Sequence, residues 1–266
     1  MSSHFMKYRL VKTQVKSYPL AFKAILLLPL LFVFITSAQD EVNFIVSEPG
    51  SAPYIYTDNG NYVGIIPEML QGLIDSGSLK IKYLSNSRSR SEEYLYNGKA
   101  DMMFLSESWL KNPDKVITSI SILEHRTFLY KTEKFDQNFA LTSLKDNKSI
   151  CTIKSYKYPA LEIYFAKKTL KRIDSSNHKT MFRMLVKGRC DLVISNELNA
   201  KTLFNSQEFK RKTFFRSNVP TSVVPTNIIL RASLISLQKL INMHIKKLKD
   251  SGELEKIINN NVYTDL

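Results

Sequence analysis

Long apolar runs are almost absent from this sequence of 266 residues. The one such run, residues 24–36, has 13 residues. As a helix it would span about 20 Å, too short for a hydrocarbon core of about 30 Å. Five basic residues and no acid precede the run, and the small residues Thr36, Ser37 and Ala38 lie at its end. This order is typical of a secretory signal peptide.

We therefore predict that residues 1–38 are a signal peptide, cleaved near Ala38, and that the mature protein is periplasmic. Translation could start at Met1 or at Met6, because the basic segment is long for a signal. No later segment is apolar enough to span a bilayer, so we expect no stable insertion in the membrane.

Cysteine and histidine are also scarce, with two and four residues. Cys151 and Cys190 have no histidine cluster beside them, which excludes a Cys/His zinc site, and we expect no cofactor. Each cysteine begins a predicted strand, and in an exported protein such a pair is a candidate disulfide. The bridge requires Cα atoms within about 7 Å, which the sequence leaves open.

Acidic residues are outnumbered, and the formal net charge falls from +14 to +9 when residues 1–38 are removed. Residues 127–233 carry a net +12 and the other mature residues a net −3. Three interpretations stay open: weak attraction between two parts of the protein, a positive potential for an anionic ligand, or a solvated basic surface. We expect no nucleic-acid partner.

One pattern occurs twice in the sequence. Residues 95–107 read LYNGKADMMFLSE, and residues 185–197 read LVKGRCDLVISNE. Each predicts a helix end, a glycine in the left-handed conformation, a short buried strand, and then polar residues at the strand's carboxyl end. Because ligands of open α/β sheets bind beside the carboxyl ends of strands, the repeat indicates two similar lobes that share one site.

The order of predicted elements supports two lobes. A β-α-β-α-β alternation ends with a strand at residues 101–105, and the same order ends again at residues 192–194. A helix is predicted over residues 160–170 and a polar loop over residues 85–90. Such alternation predicts parallel strands with helices on both faces of the sheet.

Several motifs together resemble those of bacterial type 2 periplasmic solute-binding proteins, and more narrowly family 3, the polar amino acid group. The matching segments cover nearly all of residues 41–262: 52–56 (APYIY), 60–68 (GNYVGIIPE), 98–101 (GKAD), 144–155 (LKDNKSICTIKS), 188–194 (GRCDLVI) and 248–257 (LKDSGELEKI).

The resemblance implies an α/β fold of two Rossmann-like lobes joined by two crossing strands. Lobe 1 would comprise residues 41–126 plus 234–266, and lobe 2 residues 127–233. The lobes would close like a hinge on a small polar solute, amino acid-like or another small organic ion. The resemblance also implies a monomer that delivers its solute to an ABC permease.

The sequence departs from the family at one important place. Amino-acid binders of this family carry an arginine shortly after the third strand of lobe 1, which clamps the ligand carboxylate. Residues 106–115 contain no arginine, and Lys111 cannot reproduce the planar fork. Arg88 is a candidate replacement. The family's contact to the ligand amino group falls on Asn196 and Glu197.

The candidate ligand-binding residues all follow predicted strands. For several of them a structural role stays open: loop burial for the tyrosines, a solvated loop for the arginine, and hinge packing for the tryptophan. The candidates are Tyr54, Tyr56, Arg88, Ser106, Glu107, Trp109, Ser155, Tyr156, Asn196 and Glu197.

The leading hypothesis is a binding protein without enzymatic activity. An alternative is a dehydratase on the same fold, which would need a buried acid such as Glu107 or Glu197. A further alternative is a ligand-binding partner of a membrane sensor. His125 and His178 adjoin no catalytic triad and are interpreted as packing or surface residues.

Overall fold

The structure is a computed structural model that describes residues 41–48, 50–144, 147–154 and 156–263. The predicted signal peptide, its cleavage site and Ser155 lie outside these residues. Within them the strands are β1 (Val42–Ser47), β2 (Tyr56–Asp58), β3 (Asn61–Val63), β4 (Ile81–Asn86), β5 (Met102–Leu105), β6 (Val116–Thr118), β7 (Leu123–Lys131), β8 (Lys148–Ile153), β9 (Leu170–Ser175), β10 (Leu192–Asn196), β11 (Phe215–Arg216) and β12 (Ser222–Arg231).

The α-helices cover both faces of the main sheet. They are α1 (Ile65–Asp75), α2 (Arg88–Tyr96), α3 (Pro159–Ala166), α4 (His178–Val186), α5 (Glu197–Asn205), α6 (Ile235–Asp250) and α7 (Glu253–Tyr263). Short 3₁₀ turns occupy Glu107–Trp109, Pro113–Lys115 and Leu141–Ser143. None of the helices in the described part of the chain is both long and apolar enough to cross a membrane.

The main sheet has two halves, and two long central strands join them. Its order is β4-β1-β5-β12-β7-β10-β8-β9, with β6 beside β12 and β11 beside β7. Strand β1 is parallel to β4 and β5 in the first half, and β8 is parallel to β9 and β10 in the second. Strand β12 pairs with β7 through residues 222–226 and with β5 through residues 227–230. We call the half that contains β1 the first lobe and the half that contains β8 the second lobe.

Each lobe has apolar layers on both faces of its sheet. Side chains alternate along a strand, so Phe44 and Val46 of β1 pack toward α1, α6 and α7, whereas Ile45 packs toward Leu95 of α2. In the second lobe Phe128 and Tyr130 pack toward α4 and α5, and the other layer includes α3. The residue bounds of the two lobes stay a prediction.

The repeated pattern has the predicted backbone. Gly98 ends α2 with φ 72° and Gly188 ends α4 with φ 66°, both in the left-handed region. Their strands β5 and β10 follow directly. The helix predicted over residues 160–170 was too long, because Lys168 takes a φ of 59° and Leu170 already begins β9. A lysine at this place is uncommon, since glycine or asparagine usually ends a helix in this way.

The loop after β1 is fixed by the start of α1. The N–H groups of Ile65 and Ile66 donate to the carbonyl oxygens of Pro53 and Tyr54, both at 2.9 Å. Gly64 makes this approach possible: its φ is 117°, and a Cβ there would lie 2.6 Å from the Pro53 oxygen. Only glycine tolerates this backbone and this contact.

We expect Gly64→Ala to lower the free energy of unfolding by about 3 kcal/mol, because it adds both backbone strain and a clash with a carbonyl oxygen. Gly77→Ala is the matched control. Gly77 has φ 68° with open space around it, so its replacement should cost about 1 kcal/mol. Urea denaturation measures both variants, and equal costs would contradict the proposed close approach.

Candidate functional site

The polar residues predicted for the site follow the carboxyl ends of strands in both lobes. In the first lobe they come from the loop after β1, the start of α2 after β4, and the 3₁₀ turn after β5. In the second lobe they follow β8 and β10. Hydrogen bonds between the two groups bring these strand ends together, and the resulting interlobe crevice is the candidate site.

Tyr54 is central to the interlobe crevice. Its side chain is 2% exposed, and its hydroxyl donates to Asn196 Oδ1 at 2.6 Å, across 142 positions of sequence. Its ring stacks on Phe104 and on His125, with centroid distances of 5.4 and 5.9 Å. Burial raises the pKa of Tyr54 far above its ordinary value, so the hydroxyl stays protonated and acts as a donor.

Asn196 ends β10 and caps α5. Its Oδ1 accepts from the N–H groups of Leu198 and Asn199 at 2.8 and 3.3 Å, and its Nδ2 donates to the Arg126 carbonyl at 3.2 Å. Together with the Tyr54 bond, these contacts use the polar atoms of Asn196 within the protein. The side chain therefore joins the lobes and has little remaining capacity for a ligand amino group.

Asn199, which was not among the predicted residues, extends this interlobe contact. Its Nδ2 donates to Ser51 Oγ at 3.0 Å and to the Ala52 carbonyl. Helix α5 as a whole was missed, because Asn196 and Glu197 were interpreted as site residues and not as the start of a helix. The Asn-Glu pair is a usual helix start, since asparagine caps and an acid in the first turn complements the helix dipole.

Arg88 lies at the first position of α2, not in the polar loop predicted there. Its Nη2 is 3.0 Å from Glu92 Oε1 and donates to the Trp109 carbonyl at 3.4 Å. Its Nη1 is buried and has no hydrogen-bond partner among the described residues. Burial lowers the pKa of Arg88, and the carboxylate of Glu92 opposes that change. A buried guanidinium N–H without a partner is costly, so an added acceptor at this atom would be stabilising.

Glu92 forms an ion pair with Arg88 but leaves the Nη1 atom of Arg88 without a hydrogen-bond partner in the described part of the chain. The Glu92 side chain is 4% exposed, and its Oε2 already accepts from Tyr96 Oη at 2.9 Å and from the Lys111 N–H at 3.0 Å. Tyr156, across the crevice, is 45% exposed; partial desolvation raises the pKa of its hydroxyl, and the positive charge of Arg88 opposes that rise. Tyr156 is thus close to Arg88 although it belongs to the other lobe.

Two histidines form part of the same crevice. The His125 ring meets the Trp109 ring edge-on at 4.8 Å, and His178 Nδ1 lies 3.1 Å from Ser195 Oγ. Burial lowers the pKa of His125 to about 3 and of His178 to about 4, and the proximity of His178 also lowers that of His125. Both rings are therefore neutral at pH 7 and contribute polar, uncharged surface.

These histidines predict that stability falls as the pH is lowered. Below the ordinary histidine pKa of about 6.5, the unfolded chain binds protons that the folded chain does not. Between pH 6.5 and 5.5 we expect each histidine to remove about 1 kcal/mol from the free energy of unfolding. Urea denaturation across this range avoids the titration of carboxylates, and His178→Gln should halve the slope. An unchanged slope in that variant would contradict the assignment.

The remaining predicted residues take different positions. Ser106 is fully buried, with its Oγ 2.8 Å from Ser108 Oγ. Glu107 is exposed on the 3₁₀ turn, and Tyr56 is half-buried on the β2–β3 hairpin. In the part of the chain that the structure describes, neither of these two side chains forms a hydrogen bond, ion pair or ring contact with another predicted site residue.

Glu197 is engaged within the second lobe. Its Oε1 lies 2.5 Å from Arg216 Nη1 and 3.3 Å from Lys201 Nζ. The described residues contain no group of three or more histidine, cysteine, aspartate or glutamate side chains that could hold a metal ion. The interlobe crevice therefore offers aromatic rings, hydroxyls and one incompletely bonded arginine.

No family model and no curated protein matches this sequence. Solved structures do. The probable amino-acid ABC transporter extracellular-binding protein ytmK from Bacillus subtilis has a TM-score of 0.69 and 14% identity, over 85% of this chain and 99% of that chain. An ancestral cationic amino acid solute-binding protein has a TM-score of 0.67 and 16% identity, over 84% and 95%. The VFT2 domain of BvgS from Bordetella pertussis, as a double mutant, has a TM-score of 0.63 and 16% identity, over 83% and 93%.

Identities this low show the fold alone. The fold is the type 2 periplasmic binding fold, with two α/β lobes joined by crossing strands, and the predicted fold class is confirmed.

Proposed function

We propose that the protein is an exported solute-binding protein that encloses a small organic anion between its lobes. It then presents the anion to a membrane partner, an ABC permease or a sensor. The similar structures support this proposal, since they include binding proteins of amino-acid transporters and a domain of BvgS. The signal-like residues 1–38 support export to the periplasm.

The observation that carries the proposal is the unpaired Nη1 of Arg88 in the interlobe crevice. A carboxylate or similar anion would supply the missing acceptor, and bonds of guanidinium to such groups are among the strongest in proteins. The Trp109 and His125 rings, which meet edge-on, would contact the apolar part of the ligand.

The same surroundings disfavour a ligand that is recognised by its amino group. That contact would need an available acid or amide in the second lobe. Asn196 is already bonded to Tyr54 and the start of α5, and Glu197 is paired with Arg216 and Lys201. An organic acid, or an amino acid bound chiefly through its carboxylate, therefore fits better than an amine.

A dehydratase is the alternative on this fold, and one similar structure is an ancestral precursor of cyclohexadienyl dehydratase. Such chemistry needs a carboxyl group positioned as a general acid in the site. Glu107 is exposed and Glu197 is ion-paired, so neither candidate supports this reading.

A thermal-shift screen of the protein without residues 1–38 tests the proposal. The compounds are organic acids, amino acids, amines and oligopeptides. A ligand at 100 times its Kd should stabilise the protein by about 2.7 kcal/mol. We expect organic acids to stabilise it and to be recovered unchanged. Stabilisation by amines alone, or consumption of the ligand, would contradict the proposal.

A further inference from the structure

A cavity, which we call the lobe-2 cavity, lies in the second lobe beside helix α5. Its volume is about 360 Å³, within the range of about 300–1,000 Å³ typical of small-molecule pockets. Helix α5, strand β7 and the segment around β11 form its walls. The lining residues are Tyr130, Glu197, Lys201, Phe204, Phe214 and Arg216.

The polar side of this lobe-2 cavity has an excess of positive charge. Arg216 and Lys201 both contact the single carboxylate of Glu197, at 2.5 and 3.3 Å. Arg216 also lies over the Phe128 ring, 4.2 Å from its centroid, which fixes the guanidinium plane. Two bases against one acid leave one net positive charge, which one anionic group would neutralise.

Tyr130 lines the same side of the lobe-2 cavity. Most of Tyr130 is buried, with 3% of its surface exposed, and its hydroxyl is the polar group that it can offer to a ligand. The charges of Arg216 and Glu197 both act on this hydroxyl. A hydroxyl in this place can donate a hydrogen bond to an anion.

The other side of the lobe-2 cavity is aromatic. The Phe204 and Phe214 rings stack at 4.6 Å with an interplanar angle of 12°, and the Tyr130 ring meets Phe204 edge-on at 5.7 Å. Such a wall favours a flat apolar group.

We propose that the lobe-2 cavity is a second binding site, for an aromatic monocarboxylate. The carboxylate accepts from Arg216, Lys201 and the Tyr130 hydroxyl, and the aromatic group packs against Phe204 and Phe214. Its lining residues do not include Tyr54, Arg88 or Trp109, and the proposal does not depend on the function proposed for the interlobe crevice.

The test is an NMR titration of the ¹⁵N-labelled protein with phenylacetate, acetate and phenylacetamide. We expect saturable binding of phenylacetate, with shifts of the Lys201 and Phe214 amides and not of Trp109. Acetate lacks the ring and phenylacetamide lacks the charge, so each should bind at least tenfold more weakly.

Variants assign the contacts. Arg216→Gln should weaken phenylacetate binding at least tenfold, and Tyr130→Phe about fivefold, the effect of one net hydrogen bond. Tyr130→Phe keeps the ring packing, so it remains informative if Arg216→Gln fails to fold. Lys212→Gln is the matched control, a base of the same lobe outside the lobe-2 cavity, and should change nothing. Absence of binding, equal binding of phenylacetamide, or full affinity in both cavity variants would overturn the proposal.

Discussion

Replacing Cys151 and Cys190 together with alanine is expected to lower the free energy of unfolding by about 4 kcal/mol. The structure joins these cysteines in a disulfide, with Cα atoms 5.8 Å apart and a sequence separation of 39. The bond links β8 to the turn before β10. Its loss frees a loop of this length in the unfolded chain, and in the chain-entropy account that entropy is the main cost.

Urea denaturation of the oxidised protein and of the double alanine variant measures this cost. Reducing agent provides the control, because it should destabilise the natural sequence by a similar amount and leave the variant unaffected. A difference below about 1 kcal/mol between the two proteins would contradict a structural role for the bond.

Tyr54→Ala is expected to destabilise the protein by about 4 kcal/mol. The substitution removes a fully buried ring that packs on Phe104 and His125, and it breaks the hydrogen bond to Asn196. Large aromatic residues replaced by alanine in cores usually cost about 3–5 kcal/mol, and the interlobe bond places this residue in the upper part of that range.

Tyr54→Phe separates the ring from the hydroxyl. It should cost only about 1 kcal/mol, and a double-mutant cycle with Asn196→Ala should return a coupling of similar size. Tyr62→Phe is the control, since the Tyr62 hydroxyl has no hydrogen bond within the described ranges, and it should be neutral. A coupling near zero would show that the bond between Tyr54 and Asn196 does not hold the lobes together.

Local signals predicted much of the fold. The glycines at residues 98 and 188 mark helix ends, and the short apolar strands that follow them lie in equivalent places of the two lobes. The start of helix α2 was harder to predict from the sequence, because its first residues are alternating arginine and serine and give little amphipathic pattern. The sequence around Arg88 therefore resembled a polar loop.

The sequence predicted which strand ends form the site, but it did not predict the hydrogen bonds and ion pairs between the site residues. Tyr54 and Asn196 were both candidates, but their mutual bond depends on how the lobes meet, which no local pattern encodes. The neutral state of His125 and His178 is likewise a result of burial in the crevice. Glu197 was assigned by its position after β10, and its ion pairs with Arg216 and Lys201 come from tertiary packing.

Isothermal titration calorimetry of Arg88→Gln, with the organic acid that stabilises the protein most, tests the central claim most directly. The matched control is Arg90→Gln, an exposed arginine on the same helix. We predict that Arg88→Gln weakens binding at least tenfold, as expected for a lost charge-assisted hydrogen bond, that Arg88→Lys recovers part of the affinity, and that Arg90→Gln binds normally. Unchanged affinity in Arg88→Gln would contradict the account of the interlobe crevice as an anion site.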